Sequence, residues 1–126
     1  MHNFRDLALG AVLGAIVTTT VIAASDEPEM DPVKQLPEVY KVRFENDRVR
    51  VIEFRLKPGA KEPMHGHPAG LLFVLADGKV KHVFPDGSSS EQSATAGDVI
   101  WREAVTHSGE NIGGTEIHAY IVDVKQ

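Results

Sequence analysis

From Tyr40 onward the chain is built of short alternating runs. In Tyr40-Lys41-Val42-Arg43-Phe44 apolar and charged side chains change places at every step, the two-residue period of a half-buried strand. Glu45-Asn46-Asp47 is the turn that follows. Residues 49–56 predict the next strand, with Ile52, Phe54 and Leu56 on one face and Glu53 and Arg55 on the other, and Pro58-Gly59 ends it. His65 and His67 are spaced to share one face of a strand. Residues 71–75 are apolar on both faces, which predicts a central strand covered on both sides, and Asp77-Gly78 predicts a hairpin. Alternation returns in residues 79–84, where Val80, His82 and Phe84 face one way and Lys79 and Lys81 the other. Pro85-Asp86-Gly87 with residues 88–90 makes the next turn. Residues 92–95, 98–101, 106–108 and 116–124 supply the remaining strands, with Gly113-Gly114 turning into the last. No segment beyond residue 38 has a 3.6-residue period. Short strands cut by Gly and Pro turns predict an all-β sandwich or barrel, and a rolled sheet also conceals its edges.

The first residues obey a different pattern. Arg5 and Asp6 precede an uncharged run over residues 7–24, and Asp26, Glu27, Glu29 and Asp31 follow it. Ala23-Ala24-Ser25 supplies the small residues of a cleavage site, so residues 1–25 read as a secretory signal peptide. The rival is an uncleaved N-terminal membrane anchor, a hydrophobic helix over residues 7–24. Arg5 on the short side places the N-terminus inside and the domain outside. Both readings export the domain to the periplasm or the exterior, and they differ only in tethering. Residues 26–38 carry Pro28, Pro32 and Pro37 among several acids and predict an extended linker or leading arm, leaving 39–126 as the folded domain.

Charge and composition narrow the chemistry. A net charge of −5 with scattered single arginines excludes nucleic acid as a partner, because phosphate neutralisation needs a clustered basic surface. The chain has no cysteine, so in an oxidising compartment it must rely on its core. Any metal site must then be built from histidine and oxygen. His65 and His67 make half of such a site, and His107 follows inside a second turn-rich segment over residues 97–111. His82 shares a face with Val80 and Phe84 and reads as an interior, hydrogen-bonded residue; His118 shares a face with Tyr120 and reads as a packing residue. Glu62, Glu103 and Glu110 read as surface acids, with Glu62 or Glu103 in reserve as an oxygen ligand from the rim.

These residues resemble the two motifs of the cupin superfamily. The first motif is a glycine, five residues, H-x-H, three or four residues, a glutamate, six residues and a glycine. Gly59, His65, His67 and Gly78 fall on it, after a Pro58-Gly59 entry, but Leu71 stands at the glutamate. Gly97-Asp98-Val99 opens the second motif, and His107 with Asn111 keeps its closing spacing, although Arg102-Glu103-Ala104-Val105 replaces its Pro-x-Gly turn. The resemblance covers residues 40–124 and implies a single jelly-roll barrel. It also implies a metal held by His65, His67 and His107, as in the three-histidine thiol dioxygenases and diketone-cleaving enzymes, which lack the glutamate too. Residues 110–113 with His118 are similar to small cupins labelled as beta-alanine degradation proteins.

The expectations follow. Three imidazoles suit iron(II) first, with nickel, zinc, manganese or copper as alternatives, and leave positions open for water, oxygen or substrate. Leu71, Phe73, His82 and Trp101 are expected to line the pocket, greasy beside the metal, for a small and partly apolar molecule. No residue is assigned as a catalytic acid or base. The leading function is metal-dependent oxidation of a small organic molecule. Rivals are a binding module without turnover and a metal-free structural barrel, and a homodimer through sheet edges is expected because cupins often pair that way.

Overall fold

A computed structural model describes residues 27–126. The hydrophobic helix expected over residues 7–24, and with it the choice between signal peptide and anchor, lies outside the described residues. No helix among the described residues is long and apolar enough to cross a membrane.

The described residues form one short helix and nine strands: α1 (Pro32–Gln35), β1 (Tyr40–Glu45), β2 (Val49–Leu56), β3 (Lys61–His67), β4 (Gly70–Val74), β5 (Gly78–Val83), β6 (Ser89–Ala94), β7 (Val99–Arg102), β8 (Val105–Asn111) and β9 (Ile117–Val124). They make two sheets, β1-β2-β9-β4-β7 and β3-β8-β5-β6, in which every pairing is antiparallel. The result is an all-β jelly roll. The predicted turns after β1 and β5 are hairpins. Gly59 and Gly97 have φ of +78° and +95°, a backbone region where a Cβ is strained, so both must be glycine.

Two expectations need correcting. Asp77-Gly78 is not a hairpin, because β4 and β5 belong to different sheets; the segment crosses between them, with Thr115 Oγ1 donating to the Asp77 carbonyl. The strand at residues 71–75 is covered on one face only. Leu72 opposes the buried Ile121 across β9, which turns Leu72 and Val74 inward and Leu71 and Phe73 outward. Phe73 and Leu75 are accordingly exposed. In a run apolar at every position both phases look alike, and only the partner strand chooses.

The arm, described over residues 27–38, is less extended than its prolines imply. Pro32 is the first helical residue of α1, where a missing N–H costs nothing, and the Asp31 side chain caps the Val33 N–H at 3.0 Å. Val33, Leu36 and Val39 then pack on the core of Tyr40, Ile52 and Ile121. Ahead of the helix, the Met30 carbonyl accepts from Gly66 N at 2.8 Å, so the arm covers the free edge of β3.

Candidate metal centre

The site is assembled by β3 and β8. Their register places His65 opposite His107 and His67 opposite Val105, so all three histidines enter the interior from one sheet. One ring nitrogen from each lies within 4.8 Å of the others. Two details leave lone pairs free. His65 Nδ1 donates to the Pro63 carbonyl at 2.7 Å, which leaves Nε2 as the basic nitrogen. His67 Nδ1 is buried with no partner among the described residues. Burial, reinforced for His67 by the Arg102 cation and for His107 by His82, pulls the first down to about 2 and the second to about 3. Both rings are therefore neutral at physiological pH, the form that binds a cation. The donor set fits a divalent metal.

His82 lines the cavity and braces the cluster rather than joining it. Its ring stacks on His107 at 4.1 Å with 7° between planes, which restrains the rotation of the His107 ring. His118 stands apart, paired through Nε2 with Glu53 at 2.7 Å.

Glu62 is not the surface acid expected. It is 5% exposed and accepts a hydrogen bond from Tyr40 Oη, while its Oε1 lies 3.9 Å from His65 Nε2. Strict alternation would turn Glu62 away from the histidines. The register prevents this, because Glu62 pairs with Gly109 and His65 with His107, leaving one extra residue on β3 between those two pairs. That extra residue is a bulge at Pro63 and Met64, where a proline removes no ladder bond. Burial raises both the Glu62 carboxyl and the Tyr40 hydroxyl above their usual values, and the two share one hydrogen bond beside His65. Glu103 is exposed at the rim, where it accepts from the Trp101 indole N–H at 3.0 Å. Glu110 is half-buried.

The cavity measures about 420 Å³ and reaches from His67 and His107 past Leu72, Val74, Val80 and Ile100 to its mouth. Leu71 and Phe73 do not line it. Their places are taken by Leu72 and Val74, for the reason of phase given above. The inward side chain of β4 is thus still a leucine where the motif has a carboxylate. Trp101 borders the cavity, but at the rim and 52% exposed. Arg102 also lines it, and its only sign in the sequence is an arginine two residues from the inward Ile100.

No protein-family model and no curated protein matches the chain. Among solved structures it is similar to a cupin domain from Bordetella pertussis at 28% identity and TM-score 0.64, over 70% of this chain and 93% of that one. It is also similar to a conserved protein with a double-stranded beta-helix domain from Klebsiella pneumoniae, at 20% identity and TM-score 0.55 over 68% and 75%. An RmlC-like cupin family protein from Methanocaldococcus jannaschii aligns at 15% identity and TM-score 0.55 over 68% and 78%.

Proposed function

We propose that this chain, which has the cupin superfamily fold, is an exported metalloprotein that oxidises a small, partly apolar organic molecule with iron(II). The observation that carries the proposal is the convergence of three buried histidines, two of which, His67 and His107, line a mostly apolar cavity. When bound, the metal supplies Lewis-acid and redox chemistry at positions that the protein leaves open. The chain's own residues do the rest. His65, His67 and His107 hold the ion, with His82 restraining the plane of His107. Leu72 and Val74 exclude water and, with Ile100, seat the apolar body. Tyr40 Oη, 3.5 Å from His65 Nε2, carries a proton at the edge of the site, and Glu62 orients it.

A leucine at the carboxylate position favours a second reading, a module that binds metal and small molecule without turnover. Oxygen uptake by the iron-loaded protein, screened over thiols, diketones and phenolics, separates the two. Uptake with any of them supports oxidation, and none with all of them supports binding. Export rests on the composition of residues 1–25, and a mature N-terminus near Ser25 found by mass spectrometry would support a cleaved leader. Pairing of two copies is supported by the apolar strip of Leu71, Phe73, Val99 and Trp101 along the outer face at edge strand β7, and light scattering tests it.

A further inference from the structure

We propose that Arg102 is the substrate-selecting residue of this cavity, and that the ligand it selects is a small monocarboxylate with an apolar body. The inference rests on the metal reading above and names the ligand class for that same site. Arg102 closes β7 and borders the cavity among apolar side chains. Its Nη2 donates to the Pro68 carbonyl at 3.1 Å and to Asp123 Oδ1 at 3.3 Å. Pro68 directly follows His67, so the guanidinium sits beside a histidine of the cluster. Its Nε is buried and has no partner among the described residues.

A buried donor on a permanent cation is costly to leave unpaired unless something else satisfies it. Asp123 does not do so. That carboxylate is shared with Arg50, which contacts it at 3.2 Å and also holds both oxygens of Asp31 at 3.0 and 3.1 Å. Arg50 is thereby engaged on two acids, whereas Arg102 meets Asp123 through one long contact. The acids bordering the cavity are occupied as well, Glu62 by Tyr40 and Glu103 by Trp101. Lining the cavity are a guanidinium whose Nε is unpaired among the described residues, the neutral imidazoles of His67 and His107, and an apolar wall of Leu72, Val74, Val80 and Ile100. A carboxylate matches the planar fork of arginine, and an apolar body fills the remainder.

The test uses zinc-loaded protein, so that no turnover intervenes, with 4-methylpentanoate and 4-methylpentanamide as calorimetric probes. Wild type is expected to bind the carboxylate at least about tenfold more tightly than the amide, the difference a charge-assisted pair supplies. Arg102→Gln should lose that preference. Arg102→Lys retains a cation for Asp123 but lacks the Nε donor, and it should lose most of the preference even if the glutamine variant fails to fold. Equal binding of the two probes by wild type, or a preference undiminished in Arg102→Lys, overturns the proposal. Zinc is counted on the same samples. A preference that depends on Arg102 in protein holding no zinc would sink the metal reading and leave the carboxylate subsite standing. Full zinc with an undiminished preference in the variant would do the reverse.

Discussion

Beneath the crossover from β8 to β9, Asn111 is 1% exposed and fully engaged. Its Nδ2 donates to the carbonyls of Leu56 at 2.8 Å and Thr115 at 2.9 Å, and its Oδ1 accepts from Gly113 N at 3.0 Å. Asn111→Ala deprives the buried Leu56 carbonyl, and the part-buried Thr115 carbonyl and Gly113 N–H, of this partner and should cost about 1–3 kcal/mol in urea unfolding, whereas a loss under ~0.5 kcal/mol would show that water replaces the side chain. At His107 the sign with pH can be worked out. The folded ring is held down at about 3, while the unfolded ring titrates at its ordinary 6.5. Acid therefore protonates the unfolded chain first, and the stability tied to a neutral His107 is complete above 6.5 and is lost as pH falls toward 3. In metal-free protein the stability of wild type minus that of His107→Gln should fall by up to about 2 kcal/mol between pH 6.5 and pH 5. A constant difference would contradict a buried neutral ring. At this scale the histidines and Asn111 were legible, His65 and His67 from their strand spacing and His107 with Asn111 from the resemblance to the cupin motifs. Glu62, Arg102 and Leu72 were not, because each depends on a neighbour strand that the sequence does not display.

Strand β3 is where the local pattern and the register disagree. Its bulge admits Glu62, and the space Glu62 occupies exists only because residue 109 is glycine, since a Cβ there would collide with Glu62 Oε2. Gly109→Ala should therefore cost about 1–3 kcal/mol by overpacking, and considerably less in a Glu62→Ala background. Equal costs in the two backgrounds, measured by thermal or urea unfolding, would mean that Glu62 does not fill that space. Pro63 was the readable sign of the bulge, as a residue without an N–H inside a strand. The strict alternation of β2 and β5 gave their faces correctly, with Ile52 and Leu56 buried and Val80 and His82 on the cavity. The unbroken apolar run of β4 could not, since its period carries no phase.

For the whole molecule, the interior is divided between a small apolar core and a polar site. Among the described residues Tyr40, Ile52, Leu56, Val74, Ala119 and Ile121 are the buried hydrophobic residues, against buried Glu53, Glu62, His65, His67, His107, Asn111 and Asp123. A fold that commits this much interior to polar groups gains stability from whatever binds them. Adding metal in excess should raise the thermal midpoint, and no change would argue for a metal-free barrel. The arm contributes in the same way, because Leu36 covers the core and Asp31 anchors Arg50. The all-β jelly roll was legible from turn spacing and motif order, but the role of the arm was hidden by prolines that read as breakers. The central claim is that three histidines on β3 and β8 hold one metal ion. Metal content of purified protein by plasma emission tests it most directly, in wild type and in His65→Ala, His67→Ala and His107→Ala. One equivalent of a transition metal per chain in wild type and a near-complete loss in each variant is the predicted result. Metal retained undiminished in the variants, or absent from wild type even after loading with iron(II) or zinc, would contradict it.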